Sequence, residues 1–284
     1  MISVNKVSHI YNKGSEEELK AVDKVSLQIE QGEFIVILGH NGSGKSTLAK
    51  MFNALILPSE GSVLIDGMNT SDENAVYSIR NLVGMVFQNP DSQLVATTVE
   101  DELAFGPENI GVPRDEIIER INHALKVTSM ERFRTFAPHR LSGGQKQKIA
   151  IASVLAMRPK YLILDEPTSM LDPKGQKDII ETLKELNKKE GISVILVTQH
   201  MHEAFYADRI LVMKSSALSY NGSPYDLFSN DTTLKQLNLS VPIMGLLAKK
   251  LRSKGLKISS KAFVSDVMAE ELIRIGMVNK NHRL

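Results

Sequence analysis

The residues best suited to chemistry in this sequence form a glycine-rich segment near its start. The segment reads Gly39-His40-Asn41-Gly42-Ser43-Gly44-Lys45-Ser46-Thr47 and directly follows the apolar run 34–38. Glycines let backbone N–H groups turn toward phosphate oxygens, and the N-terminus of a following helix adds positive potential. In this pattern Lys45 reaches the β and γ phosphates and Ser46 can bind Mg²⁺. The segment therefore predicts a nucleoside triphosphate site; the alternative is a turn that only joins a strand to a helix.

A second candidate group is the carboxylate pair Asp165 and Glu166, which follows the apolar run 161–164. In α/β proteins, ligands bind at the carboxyl ends of parallel strands. Asp165 is suited to holding Mg²⁺ through its water shell, and Glu166 to polarising a water that attacks the γ phosphate. An isolated pair would more simply solvate a strand end. We expect the phosphate loop to lie on a neighbouring strand, which favours Glu166 as the general base.

The elements that must position these residues follow from hydrophobic periodicity. The run 34–38 is short and β-branched, as in a buried parallel strand, and a helix is expected from about 45 to 55. Two further strand-like runs, 161–164 and 193–197, flank a charged helical segment at 174–189. This βαβ pattern predicts a parallel sheet covered by helices. Helical spacing at 113–136 indicates a helical insertion, and after about residue 225 short amphipathic helices replace the sheet pattern.

Composition excludes several classes of function for the 284-residue chain. Lysine and arginine number 34 against 33 acidic residues, so charge offers no argument for nucleic acid as a partner. Cysteine is absent, which excludes disulfide frameworks and cysteine metal sites. The start of the chain lacks the features of a signal peptide, and no window approaches the roughly 20 apolar residues of a membrane helix. Any membrane role is therefore expected to come through a partner.

The string Leu141-Ser142-Gly143-Gly144-Gln145 resembles the signature of the ABC (ATP-binding cassette) ATPases and precedes Glu166, as in that family. Ser142 can cap a helix that begins near Gly143, and a plain helix cap is the alternative reading. In the family, the signature contacts the γ phosphate of ATP bound by the opposite subunit. The resemblance therefore implies ATP and Mg²⁺ as cofactors and a head-to-tail dimer with a second ABC ATPase, identical or related.

Other positions match the same family. Tyr11 resembles the aromatic residue that stacks on adenine, although it could equally pack within a strand. Gln88 resembles the glutamine that senses Mg²⁺ and the membrane subunit. The segment from Ser169 to Asp172 resembles the loop that crosses the dimer interface, with Met170 where a smaller residue is more usual.

The resemblance covers roughly residues 1–222 and implies the fold. The expected class is α/β, an ABC-type P-loop NTPase with a RecA-like parallel sheet core, an N-terminal antiparallel β portion and a helical subdomain at about 90–158. We expect the ATPase domain to span 1–225 and a small C-terminal appendage to span 226–284.

Two segments, 87–94 and 98–109, are similar to the energy-coupling factor importers of vitamins, cobalt and nickel. That resemblance implies a peripheral subunit at the cytoplasmic face of the cell membrane. It would bind a transmembrane coupling protein, and through it a substrate-binding membrane protein. A solvated acidic helix is the alternative reading of 100–108. The alternative functions are the ATPase of another ABC importer or a soluble ABC protein acting on ribosomes or DNA, which typically has a second cassette or a long coiled-coil insertion.

The segment 194–204 resembles the switch region of the family but departs from its pattern. Gln199 stands where the switch histidine is expected, and His200 comes one position late. A neutral histidine can accept a hydrogen bond and a proton, whereas a glutamine can orient water but cannot take a proton. Because the next residue past a strand end points elsewhere, we expect Gln199 to face the nucleotide. The alternatives are that His200 swings in, that a partner ATPase has the stronger site, or that His200 and His202 are surface residues.

Overall fold

A computed structural model describes residues 1–259, 262–263 and 265–276, which form both β-strands and α-helices. In chain order the strands are β1 (Ile2–Tyr11), β2 (Leu19–Ile29), β3 (Phe34–Leu38), β4 (Glu60–Ile65), β5 (Met68–Asn69), β6 (Val83–Val86), β7 (Tyr161–Asp165), β8 (Ser193–Thr198), β9 (Arg209–Lys214) and β10 (Ala217–Gly222). The α-helices are α1 (Lys45–Met51), α2 (Val76–Leu82), α3 (Val99–Asn109), α4 (Arg114–Thr128), α5 (Gly143–Ala156), α6 (Pro173–Glu190), α7 (Pro224–Ser229), α8 (Asp231–Gln236), α9 (Ile243–Ser253) and α10 (Ser265–Arg274).

The strands form two sheets. An antiparallel sheet has the order β2-β1-β4-β5, and a larger sheet has the order β10-β9-β3-β8-β7-β6. In the larger sheet β9, β3, β8, β7 and β6 run parallel, and β10 pairs with β9 in the antiparallel direction. The α/β class with an N-terminal antiparallel portion is confirmed.

The central strands β3, β7 and β8 are buried along their whole length. Successive side chains of a strand point to opposite faces, so both faces of this sheet must be covered by apolar groups. Ile35 and Ile37 pack in one cluster with α1 and the antiparallel sheet. Val36 and Leu38 pack in the other cluster with α5 and α6. This two-sided burial explains why the strands read as continuous apolar runs, and it holds their carboxyl ends rigidly at one edge.

Two expectations from the sequence are wrong in detail. The strand before the phosphate loop, β3, does not adjoin β7, because β8 lies between them and pairs with both. Helix α1 ends at Met51 rather than near 55. The chain reverses there because Ala54 adopts a left-handed backbone with φ of 55° and the Leu55 N–H donates to the Lys50 carbonyl, a common way to end a helix.

Helices α3, α4 and α5 form the middle region and pack against one another, which agrees with the expected helical insertion. After β10 the described chain is helical. Three phenylalanine rings join these last helices to the rest: Phe263 stacks on Phe205 at 5.3 Å between centroids, and Phe228 contacts both. The domain boundaries at 90–158 and 225/226 stay predictions, and part of the predicted appendage (260–261, 264 and 277–284) lies outside the described residues. Among the helices in the described ranges, none has the length and apolar character that a membrane crossing requires.

Candidate functional site

The glycine-rich loop lies where β3 ends and α1 begins, and close backbone approach explains its glycines. Gly44 has φ of 95°, and a Cβ atom there would lie 2.0 Å from the Ala21 carbonyl oxygen of β2. A Cβ atom on Gly39 would lie 2.4 Å from the Met213 carbonyl oxygen of β9. Larger residues would therefore clash with backbone on both sides. The loop is held between β2 and β9 with its N–H groups at the N-terminus of α1, the arrangement that binds phosphate.

Lys45 is the buried cation of this loop, with 4% of its surface exposed. Its Nζ donates to the carbonyl oxygens of Gly39 at 2.9 Å and His40 at 3.0 Å, and lies 3.9 Å from Glu166 Oε1. Burial lowers the pKa of Lys45, and the negative charges of Glu166 and Asp165 oppose that shift. The amine is thus held beside the carboxylates at the edge of the sheet, where a phosphate would meet it.

Ser46 and Asp165 contact each other directly: Ser46 Oγ donates to Asp165 Oδ1 at 2.7 Å, and Asp165 is 7% exposed. A hydroxyl and a carboxylate are the oxygen ligands that Mg²⁺ prefers. Among the described residues there is no group of three or more His, Asp or Glu side chains that could hold a metal ion. The donor set fits Mg²⁺, which usually takes one or two protein oxygens and completes its shell with water and phosphate oxygens.

Glu166 adopts an uncommon backbone conformation at the end of β7, with φ of 48°. Its N–H donates to the Val197 carbonyl of β8 at 2.9 Å, which holds the turn to the neighbouring strand. Its Oε2 accepts from Gln88 Nε2 at 3.3 Å, and the same amide lies 3.4 Å from Ser169 Oγ. Left-handed non-glycine residues cluster at functional sites because the surrounding structure must hold them there. Glu166 is so held, beside both Lys45 and Gln88.

An open cavity of about 370 Å³ brings these groups together. Its lining consists of Asn41, Gly42, Ser43, Gly44, Lys45, Ser46, Thr47, Gln88, Glu166 and Gln199. Gln199 reaches it because β8 lies between the strands that carry the other two motifs. His200 instead lines a neighbouring cavity with α9 residues such as Met244, and its Nε2 is buried without a hydrogen-bond partner among the described residues. The geometry favours Gln199 as the residue that faces the nucleotide; its role stays a prediction.

Three residues of the predicted nucleotide site, Tyr11, Gly39 and His40, are not in the lining of this cavity. The Tyr11 hydroxyl lies 3.1 Å from Thr47 Oγ1, and its ring meets His9 edge-on at 4.5 Å. Stacking on adenine and packing along β1 are both compatible with that half-buried position. His40 is exposed, and its Nε2 lies 2.9 Å from the Asn238 carbonyl oxygen, so the loop contacts the segment after α8.

The signature string begins α5. Leu141 is buried, Ser142 accepts from the Gln145 N–H, and Gln145 Oε1 accepts from the Ser142 N–H at 2.9 Å, which is a reciprocal capping box. Ser142, Gly143, Gly144 and Gln145 line a separate cavity of about 480 Å³ together with Met170, Leu171 and Asp172. Asp172 caps α6 by accepting from the Gly175 N–H at 2.9 Å, and Met170 is 66% exposed. The signature and residues 170–172 of the predicted dimer loop therefore line one cavity.

Within the described ranges, no residue lines both the phosphate-loop cavity and the signature cavity. Ser169 contacts Gln88 on the first side, whereas Asp172 lies on the second. The phosphate loop and the signature of one chain therefore line separate cavities.

Two residues near the site, Thr168 and Glu203, are not among the site residues predicted from the sequence. Thr168 and Glu203 are fully buried, and Thr168 Oγ1 donates to Glu203 Oε1 at 2.5 Å. They lie 35 positions apart, so no local pattern could pair them. The segment 198–203 places Glu203 close in sequence to the predicted switch residue but does not indicate its contact with Thr168.

Comparison with known proteins identifies the family. A family model described as ABC transporter matches residues 22–169. The energy-coupling factor transporter ATP-binding protein EcfA1 of Clostridium novyi (strain NT) is 53% identical, over 97% of this chain and 98% of that protein. The protein of the same name from Bacillus subtilis (strain 168) is 44% identical, over 96% of each chain.

Solved structures agree with that assignment. The cbiO1 protein of Clostridium perfringens, described as part of the ABC transporter complex cbiONQ, has a TM-score of 0.75 and 37% identity, over 87% of this chain and 98% of its own. The dimeric ATP-binding cassette MJ0796, bound to ADP and Pi after hydrolysis, has a TM-score of 0.72 and 33% identity, over 79% and 99%. The chain therefore belongs to the ABC transporter family, and within it to the ATP-binding subunits of energy-coupling factor transporters.

Proposed function

We propose that this chain binds and hydrolyses ATP as the ATPase subunit of an energy-coupling factor importer, and so powers uptake of a vitamin or a transition-metal ion. The observation that carries the proposal is the convergence of Lys45, the Ser46–Asp165 pair, Glu166 and Gln199 on one cavity. Cation, metal ligands, base and water-orienting amide are the parts that phosphoryl transfer to water requires. The high identity to the EcfA1 proteins supports the transporter class.

Binding would use the loop and the metal ligands. The N–H groups of 41–47 would cradle the phosphates, and Lys45 would leave its carbonyl partners to meet the β and γ oxygens. Ser46, Asp165 and Gln88 are the residues that would hold Mg²⁺, directly or through water. When bound, Mg²⁺ would supply positive charge that offsets the negative charge of the phosphates.

Hydrolysis would proceed by in-line attack of water on the γ phosphate. Glu166 acts as the general base, since its carboxylate lies at the sheet edge within reach of the loop. Gln88 holds one oxygen of that carboxylate, which leaves the other for the water. Gln199 orients the water through its amide but accepts no proton. Developing charge on the γ phosphate is stabilised by Lys45 and by the signature of a partner subunit.

The second half of the site would come from another ABC ATPase, identical or closely related. The separation of the two cavities on one chain supports this, because the cavity lined by Ser142 to Gln145 contains no residue of the phosphate loop. The dimeric assembly of the MJ0796 cassette supports the same arrangement. Tyr11 would contact adenine, and Ser169 and Asp172 would lie at the dimer interface.

Coupling to transport would require a transmembrane coupling protein, which in turn holds the substrate-binding membrane protein. The chain would then lie at the cytoplasmic face of the membrane as a peripheral subunit and make no direct contact with the transported substrate. The proposal for this partner follows from the EcfA1 relatives and from cbiO1, which belongs to a transporter complex. No nucleic-acid partner is proposed.

The test is to recover the tagged chain from detergent-solubilised membranes of its source, identify the co-purified proteins by mass spectrometry, and measure ATPase activity. We expect a membrane coupling protein and a hydrolysis rate that falls on the order of 10²–10⁴-fold in Glu166→Gln, as for loss of a general base. Recovery of the membrane proteins of a different importer would change the transporter class that we propose. Recovery of ribosomes, or of no membrane protein, would overturn the transport role but leave the ATPase assignment standing.

A further inference from the structure

The two turns that carry Glu166 and Gln199 are joined by a buried hydrogen bond. Thr168 lies two residues after Glu166, and Glu203 lies four residues after Gln199. Both are fully buried, and the Thr168 hydroxyl donates to Glu203 Oε1 at 2.5 Å. Because β7 and β8 are adjacent parallel strands, their following turns leave the sheet side by side. The bond links those turns directly.

Each end of the bond is anchored to its own turn. The Glu203 N–H donates to the His200 carbonyl at 3.1 Å, directly beside Gln199. The Thr168 carbonyl accepts from the Leu171 N–H at 3.1 Å and from Gln176 Nε2 at 3.3 Å. Side chain and backbone therefore form one connected path from the switch segment to the loop that follows Glu166.

Stability alone does not explain a carboxylate at this place. Glu203 Oε2 is buried and has no hydrogen-bond partner among the described residues. Burying a carboxylate with an unsatisfied oxygen carries a free-energy cost that an apolar pair of similar volume avoids. A group that costs stability next to a candidate site is better explained by the geometry it imposes on that site.

We propose that Thr168 and Glu203 are positioning residues for hydrolysis: their hydrogen bond fixes the spacing between the general base Glu166 and the water-orienting Gln199. The inference rests on the proposed function and deepens it. The phosphate loop is held separately, by β2, β9 and the start of α1, so the bond sets the geometry of the attacking water without setting the affinity for ATP. Loss of the bond therefore lowers kcat and leaves nucleotide affinity unchanged.

The first test compares Thr168→Val, which keeps shape and removes the hydroxyl, with Thr168→Ser, which keeps the hydroxyl. We expect Thr168→Val to lower kcat on the order of tenfold to a hundredfold, the effect of misplacing a catalytic group by about 1 Å. KM and the Kd for a fluorescent ATP analogue should stay within about threefold of wild type, and Thr168→Ser should recover most of the rate.

Thr128→Val is the matched control. Thr128 is 1% exposed, and its hydroxyl donates to the Ala124 carbonyl at 2.8 Å within α4. The substitution removes the hydrogen bond of a buried threonine hydroxyl outside the two turns. We expect Tm to fall and kcat to stay unchanged.

A second pair of variants, at Glu203, tests the other end of the hydrogen bond. This pair tests the positioning role even if Thr168→Val does not fold. Glu203→Gln keeps the length and an acceptor oxygen, whereas Glu203→Asp keeps the charge but is shorter by one methylene. If spacing is what matters, Glu203→Asp lowers kcat at least about tenfold and Glu203→Gln loses much less.

Wild type and Glu166→Gln run in the same assay, which separates two failures. If Glu166→Gln abolishes hydrolysis while Thr168→Val and Glu203→Asp keep the wild-type kcat, the positioning inference is overturned and the ATPase assignment stands. The positioning inference is also overturned if kcat, nucleotide affinity and Tm all fall together, since that is a structural loss. If Glu166→Gln hydrolyses ATP like wild type, the proposed function itself fails.

Discussion

Gln199 and His200 occupy adjacent positions but face different surroundings. Gln199 is exposed and lines both the cavity that contains Lys45 and Glu166 and the neighbouring cavity beside α9, whereas His200 lines the cavity beside α9 and not the first one. Consecutive residues at a strand end point in different directions, so only one of them can serve the nucleotide. The difference makes the pair a direct test of which residue acts as the switch.

We expect Gln199→Ala to lower kcat for ATP hydrolysis by at least about tenfold, because it removes a preorganised hydrogen-bonding group beside the attacking water. His200→Ala should lower it much less. The measurement is steady-state turnover at saturating ATP, with nucleotide binding as the control. Equal losses, or a larger loss in His200→Ala, would contradict the assignment.

A histidine introduced at position 199 should change the pH dependence of kcat. No histidine of the described residues lines the phosphate-loop cavity, so the wild-type kcat should not show an inflection from a histidine at the nucleotide. Gln199→His would introduce an imidazole whose ordinary pKa is about 6.5 and which accepts a hydrogen bond only when neutral. We expect the kcat of that variant to fall, relative to wild type, as pH decreases from about 7.5 to 5.5. Parallel profiles for the two proteins would show that position 199 does not contact the reacting groups.

At the level of elements, one carboxylate joins the two sheets. Asp66 follows β4, and it accepts from Tyr161 OH at 2.8 Å and from Lys160 Nζ at 2.7 Å at the start of β7. Burial by itself would raise the pKa of Asp66, but hydrogen bonds from Lys160, the chain's amino group and Tyr161 outweigh it and lower this pKa to about 2. Burial and the hydrogen bond to Asp66 raise the pKa of Tyr161. The hydrogen bonds that Asp66 makes between the two sheets are therefore strongest when Asp66 is ionised.

A defined pH dependence follows. Because the folded-state pKa of Asp66 is below its ordinary value of 3.8, the stabilisation is present above pH 4 and is lost as pH falls through about 2. We expect Asp66→Asn to lower the free energy of unfolding by about 1–2 kcal/mol at pH 7. The difference in this free energy between the variant and wild type should become smaller as pH approaches 2. Urea unfolding of both proteins at pH 7, 4 and 3 measures this difference in the free energy of unfolding. A constant difference across that range would exclude the charge as the cause.

At the level of the whole molecule, the separation of the phosphate loop from the signature predicts complementation between inactive chains. Lys45→Ala disables the loop, and Ser142→Arg disables the signature. A mixed dimer of the two variants contains one site with both defects and one site with neither. Mixing them should restore up to about a quarter of the wild-type rate, because about half of the dimers are mixed and each has one intact site.

The measurement is ATPase activity of each purified variant alone and of the equimolar mixture, with Lys45→Ala mixed with Glu166→Gln as the control. Both control defects lie on the phosphate-loop side of the site. Every site in their mixed dimer therefore has an intact signature but a defective loop or a defective base, so the mixture should stay inactive. Activity in that control, or none in the test mixture, would argue against a head-to-tail dimer of two copies of this chain.

The sequence by itself determined the local chemistry of this protein. The strings at 39–47, 141–145 and 165–166 are contiguous, so residue type and spacing were enough to predict the phosphate loop, the signature and the acidic strand end. The α/β fold and the energy-coupling factor family are confirmed on that basis. The role of each site residue stays a prediction that the experiments above address.

Only the tertiary structure decided how those strings meet. Strand order depends on pairing between distant segments, and the sequence periodicity of β8 does not reveal that it lies between β3 and β7. That order brings Gln199 between the phosphate loop and Glu166, and it lets Thr168 meet Glu203 across 35 positions. The physical reason is that periodicity reports which faces of an element are buried, whereas the choice of neighbour is made by the packing of the whole chain.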